Sequence, residues 1–444
     1  MSKKKSIIIF PCTTNDKNVK FHYYVVSYFL SKYLKKYFNL IKVGDVENVK
    51  DRDKSPFLKN KKTGDEIPYQ KEKGNTLSIE FSNFFKHVGM PKQHKSVAHL
   101  DAKAQDTGWT KDIDYILTTT QRGFSKLRSK NRNAFNEILE LKKKYPKLKL
   151  IASHDHSATR KYVEDILLVA LPFDEKRRLA VLGGSNTELI YTGWCADHRL
   201  FKDNPKKQGD LNIVLDHSAL QTFRIDATEM YVEQIKKVKK EHPKKAINLC
   251  RIRGGFEFFD FKTNKWTYDT SFRWWRSSHD DGWTNGDTCS IFQIAECLSS
   301  SHIFCVTHVE SCGLTGIEAL MAGCKIYIPS GKDSFKTWGS AAENIEPTTN
   351  YYEGPFLKQA LLKPYMDYEI FNVSGGRHFF WRIKRDVNNY KLKYNRKMLV
   401  KNNSWQAAAN TIYRELVHYE YMHKVRESGF GEDYKAYEAY WNNE

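Results

Sequence analysis

A chain of 444 residues, 40% apolar and 14% aromatic, exceeds one ordinary core and suits two packed α/β domains. Its 72 Lys and Arg against 52 Asp and Glu leave a formal charge of +20, which favours a polyanionic partner, either nucleic acid or an acidic membrane face, although lysine-rich coding accounts for part of it. No stretch approaches the roughly 18 apolar residues of a membrane span, and Ile7–Phe10 is too short for a signal peptide, so the sequence reads as soluble and cytoplasmic.

In chain order, Ile7–Phe10, closed by Pro11, reads as a buried parallel strand. A helix follows, with Tyr24, Val25, Tyr28, Phe29 and Tyr33 on one side, and then a strand at Leu40–Val43. Residues 45–75 are dominated by Lys, Asp, Asn and Gly without periodicity and read as an inserted loop. Asp114–Thr119 is the next strand, 133–145 a helix ended by Pro146, and Leu148–Ala152 and Glu188–Gly193 two further strands. Strands alternating with helices predict a parallel sheet with crossover helices. The second half repeats the plan, with strands at Leu211–Leu215, Ala246–Cys250, Ile303–Thr307 and Lys325–Ile328. Its helices fall at 226–241, Phe292–Leu298 and Leu314–Ala322, the last stopped by Gly323. The tail from about 404 has helical patterning through Ile412, Leu416 and Tyr419. The polar run Lys202–Lys207 marks a boundary, so the expected domains are 1–203, 204–400 and a C-terminal helical segment, 401–444, packing back on the first. The eight cysteines form no C-x-x-C pair and several lie in apolar runs, as reduced buried thiols do.

The densest chemistry lies in Thr307–Gly323, between two strands and with a helix starting at its centre. A helix N-terminus offers free N–H groups and a positive dipole end to a phosphate, and Gly313 and Gly316 allow close approach. Glu310 is placed to accept hydrogen bonds from sugar hydroxyls and Glu318 from ribose hydroxyls. Thr315-x-x-Glu318 is also a capping box, so Glu318 reads equally as a helix cap.

The whole string resembles the E-x7-E motif of retaining GT-B glycosyltransferases, with Glu310, Gly313, Leu314, Glu318, Ala319 and Gly323 in register. The resemblance implies an α/β fold of two facing Rossmann-like domains with a cleft between them. It implies Glu310 on the transferred sugar, the backbone of Gly313, Leu314 and Thr315 on donor hydroxyls and phosphate, and Glu318 on the ribose. The co-substrate implied is a UDP-sugar, UDP-glucose first, with no essential metal at the reaction centre. Gly193–Phe201, with Asp197, is similar to the segment joining the two domains in that family. The family's diphosphate-clamping arginine has two candidates, Arg251 and Arg253; for its lysine the nearest residue is Lys262, position 256 being Phe. The likeness spans roughly 188–330.

His154-Asp155-His156-Ser157 follows the strand 148–152, and ligands of open α/β sheets bind at the carboxyl ends of strands. Neighbouring side chains in a row do not converge on one metal ion, so Asp155 reads as an acid–base or acceptor-orienting residue, with His154 and His156 on the donor. The segment resembles one in the DNA α-glucosyltransferases of T-even bacteriophages, which implies Asp155 at the acceptor as a candidate base. Arg122, Lys126, Arg128 and Lys130, interleaved with Phe124 and Leu127, suit the phosphates of duplex DNA, or else form a solvated helix start. The aromatic stretches Trp266–Tyr268 and Phe272–Arg276 read as a stacking platform for a base or sugar, or as core.

The expected function is therefore transfer of glucose from UDP-glucose to hydroxymethylated bases of phage DNA, with retention, in a host cytoplasm. The alternatives are a glycan or lipid-linked acceptor, and a non-catalytic nucleic-acid-binding protein on a transferase scaffold. The intact Glu310 and Glu318 argue against the last.

Overall fold

The computed structural model describes residues 5–10, 22–43, 69–71, 76–79, 114–119, 138–139, 142–143, 145–153, 163–169, 187–193, 195–204, 206–216, 227–253, 255–276, 289–307, 314–330, 368–372 and 376–428. The first half is an eight-stranded sheet of β1 (Ser6–Phe10), β2 (Asn39–Val43), β3 (Tyr69–Lys71), β4 (Thr76–Ile79), β5 (Tyr115–Thr118), β6 (Lys149–Ser153), β7 (Ile166–Val169) and β8 (Glu188–Tyr191). Their order is β3-β4-β2-β1-β5-β6-β7-β8, parallel throughout except for β3 against β4. Ile7, Ile8 and Ile9 are fully buried because a central parallel strand is covered on both faces. α1 (His22–Leu34) packs beside them with Val25, Val26, Phe29 and Leu30. The stretch 45–75, expected as a loop, contains β3, whose polar Tyr-Gln-Lys sequence is that of an edge strand paired on one side only.

The second sheet comprises β9 (Leu211–Asp216), β10 (Ile247–Arg253), β11 (Gly255–Asp260), β12 (Lys265–Thr267), β13 (Ile303–Val306), β14 (Lys325–Ser330) and β15 (Tyr368–Asn372), in the order β12-β11-β10-β9-β13-β14-β15. Only β11 and β12 run antiparallel to their neighbours. Side chains alternate across the pleat. Leu211, Ile213 and Leu215 meet α2 (Thr228–Glu241) and α5 (Gly376–Asn389), while Val214, Phe304 and Val306 meet α3 (Ile291–Ser299) and α4 (Leu314–Met321). On that second face Phe292 of α3 reaches Tyr28 of α1, ring centroids 6.0 Å apart, which joins the two halves. Trp274 and Trp275 belong to the same core, 7% and 6% exposed and edge-on to each other, so that aromatic stretch is packing and not a stacking platform.

The segment between the sheets is held from several sides. Asp197 is fully buried; one carboxylate oxygen accepts the N–H groups of Arg199 and Leu200, and the other the Tyr33 hydroxyl at 2.8 Å and Lys32 Nζ at 3.0 Å. Arg396, at the start of α6 (Arg396–Asn403), donates to the carbonyls of Met321, His198 and Phe201. α7 (Trp405–Ser428) then returns to the first half, where Trp405 stacks on Phe29 and Tyr413 on Tyr37. Two Rossmann-like halves with a returning terminal helix form the architecture that the sequence resemblance implies.

Gly323, the last position of the E-x7-E string, has φ +80°, and a Cβ there would collide with the Asp203 carboxylate. Its role is therefore conformational: it ends α4 and lets the linker pass. Gly323→Ala should lower stability by about 1–2 kcal/mol, read as the urea midpoint. An unchanged midpoint would contradict this role.

Candidate donor site

In an open α/β sheet the crevice opens where two adjacent strands send their connections to opposite sides. In the second sheet β9 leads to β10 on one side, while β13, its other neighbour, leads to β14 on the other. The switch point thus falls between β9 and β13. The last rung across it runs Ile252–Asp216–Val306, and the chain leaves β13 directly into the E-x7-E string. Thr307 is buried and its carbonyl accepts the N–H of Ala227 at 2.6 Å, which ties the start of α2 to this edge.

α4 starts at Leu314, so Thr315 lies inside its first turn and does not precede the helix. The capping-box reading of Glu318 therefore fails, since Glu318 stands a further turn in. Its side chain is 3% exposed. Burial, and next the neighbouring Asp216 carboxylate, push its pKa up to about 8. A carboxylic acid buried next to a second carboxylate beside a sheet's switch point is poor packing chemistry. It is suited to grip a polar ligand.

Asp216 escaped the sequence reading. It is one carboxylate at the end of an apolar strand, and only its place between β10 and β13 marks it. Arg251 is engaged elsewhere: it pairs with Glu257 across the β10–β11 hairpin and lies 4.3 Å from the centroid of Trp266. Arg253 ends β10, paired with Gly255.

Asp155, Glu310, His154, His156 and Gly313 lie outside the described residues, as do Arg122, Lys126, Arg128 and Lys130. The strands that lead to them are described. In the first sheet the switch point lies between β1 and β5; Thr118 ends β5, and Ser153 ends its neighbour β6 just before His154. Among the described residues no cluster of three or more His, Cys, Asp or Glu is placed to hold a metal, and no helix is long and apolar enough to cross a membrane.

No protein-family model and no curated protein matches the chain. Among solved structures it is similar to a glycosyltransferase from Rickettsia africae, with 12% identity and a TM-score of 0.45 over 93% of this chain and 99% of that one. It is similar to a UDP-forming α,α-trehalose-phosphate synthase from Burkholderia vietnamiensis, with 8% identity and a TM-score of 0.46 over 93% and 98% of the two chains. S. aureus MnaA, solved with UDP, gives 12% identity and a TM-score of 0.40 over 94% and 97%. At these identities and scores the likeness is one of general chain path.

Proposed function

We propose that this chain is a retaining GT-B glycosyltransferase that moves a sugar, glucose from UDP-glucose first, onto hydroxymethylated bases of phage DNA. One observation carries the reading: the E-x7-E string leaves the second sheet at its switch point, where Glu318 is buried beside Asp216. Glu318 takes the ribose hydroxyls, and Glu310 the transferred sugar. The backbone N–H groups at Gly313, Leu314 and Thr315 meet the diphosphate, where helix-end donors are free. Arg253 supplies the clamping cation, since Arg251 is held by Glu257. Asp155 orients or deprotonates the acceptor hydroxyl from the first half, with His154 and His156 on the donor. Residues 1–203 form the acceptor side, 204–400 the donor side, and 401–444 brace the first. No metal is needed at the reaction centre, so EDTA should leave the rate unchanged.

Mass spectrometry of hydroxymethylated duplex incubated with a panel of nucleotide sugars tests the reading. One added hexose from UDP-glucose is expected. Sugar appearing only on a glycan or lipid carrier offered in parallel, and none on DNA, would overturn the acceptor assignment.

The DNA partner rests on the charge of +20 and on the cations at 122–130. Each phosphate contact releases counterion, so duplex affinity should fall steeply with salt. Replacing Arg122, Lys126, Arg128 and Lys130 with Ser should reduce the log–log salt slope by about 3–4. An unchanged slope would remove this segment from the DNA contact.

A further inference from the structure

The outer face of the second sheet carries a feature that the proposed transfer does not use. α2 and α5 run side by side there and enclose an open groove of about 740 Å³. Lys237, Lys240 and Arg377 line it together with Phe380 and Trp381. A second groove of about 610 Å³ shares Lys237 and Lys240 and continues along α2 past Lys236, Lys239 and Lys262. The two form one track. Its carboxylates are already engaged: Glu241 accepts Lys384 at 2.5 Å, and Glu233 accepts Lys237 at 2.6 Å. The track thus keeps an excess of positive charge. α2 ends at Glu241, just before β10 begins at Ile247, so the track reaches the sheet edge opposite the strand ends that carry Asp216.

Trp381 is 52% exposed, and Lys384 Nζ sits 5.0 Å from its ring centroid. The apolar side of α5 is committed to the core through Phe379, Ile383 and Val387, so the helix has no hydrophobic face left to insert into lipid. A shallow, open groove lined by cations, with one flat ring at its side, matches a flexible polyanion with stackable rings.

We infer that this track binds single-stranded nucleic acid, with Lys240 and Arg377 on phosphates and Trp381 stacked on a base. The surface lies apart from the donor crevice, and binding to it needs neither a donor nor a modified base.

The test uses the full chain and a fluorescein-labelled, unmodified oligothymidine, followed by anisotropy across a salt series. Trp381→Ala should weaken binding about tenfold and leave the salt slope unchanged, because a stacked ring carries no charge. Lys240→Ser combined with Arg377→Ser should lower the slope by about 1.4. All these side chains are at the surface, so the melting temperature and UDP affinity should hold, which separates this result from failure of the donor site. Oligothymidine binding that ignores both variants, or is absent at low salt, overturns the inference. So does binding to phosphatidylserine vesicles that both variants lose while oligothymidine binding stays intact.

Discussion

Replacing Glu318 with Gln should raise the melting temperature of this protein while weakening its hold on UDP. Burial and the Asp216 carboxylate lift the Glu318 pKa to about 8, against 4.5 for an ordinary glutamate. Between those two values the folded chain holds a proton that the unfolded chain has released. Folding then takes up a proton, and stability falls as pH rises from about 4.5 to about 8. At pH 7 this amounts to a cost on the order of 3 kcal/mol, at 1.36 kcal/mol per pH unit. Gln keeps the shape and never ionises, so this pH-dependent loss should vanish. Melting scans at intervals from pH 5 to pH 9 should show wild type and variant close together at the acid end and diverging towards pH 8. Above pH 8 the ionised carboxylate offers two acceptors to a vicinal diol where the amide offers one, so UDP affinity measured at pH 9 should drop at least tenfold. A gain in stability with UDP affinity unchanged would mean that Glu318 is a packing accident and not a ribose ligand.

Asp155→Asn should slow transfer to DNA at least about a hundredfold while UDP affinity and the melting temperature barely move. The substitution keeps size and most hydrogen bonding and removes only the negative charge. A carboxylate that orients or deprotonates the acceptor acts at the reaction step, so its loss should appear in kcat by a factor of about 10²–10⁴. The acceptor proton has a second destination in a retaining enzyme, the leaving phosphate, which places the expected loss toward the lower end of that range. A structural aspartate would instead lower the melting temperature. A metal ligand would make the wild-type rate sensitive to EDTA, and either result would remove Asp155 from catalysis.

The strands that frame both crevices were legible because parallel strands buried on two faces are written as apolar runs, unbroken in Ile7–Phe10 and Ile303–Val306 and interrupted only by Asn212 in Leu211–Leu215. Edge and hairpin strands were not. β11 reads Gly-Phe-Glu-Phe-Phe-Asp, and its meaning depends on pairing with β10, which also decides the fate of Arg251. β7, Ile166–Val169, opens an apolar run closed by Pro172 and escaped notice although it carries the same signal as β1, and α5 hides its core residues among cations. The joining segment was recognised by likeness, and its structure supplies the reason for the residues: Asp197 collects four donors in a fully buried position, and Phe201 is fully buried nearby. Asp216 had no local signature at all. Its significance comes from strand order, which is a property of the whole sheet.

On this reading the crevice between β9 and β13 holds a nucleotide sugar. Hydrogen–deuterium exchange of the full chain with and without UDP-glucose addresses it directly, because backbone N–H groups that bind phosphate should exchange more slowly when the site is filled. Protection is expected in peptides covering 307–318 and around Arg253, with the α2 and α5 surface unchanged. Protection confined to other segments, or none at saturating UDP-glucose, would contradict this reading.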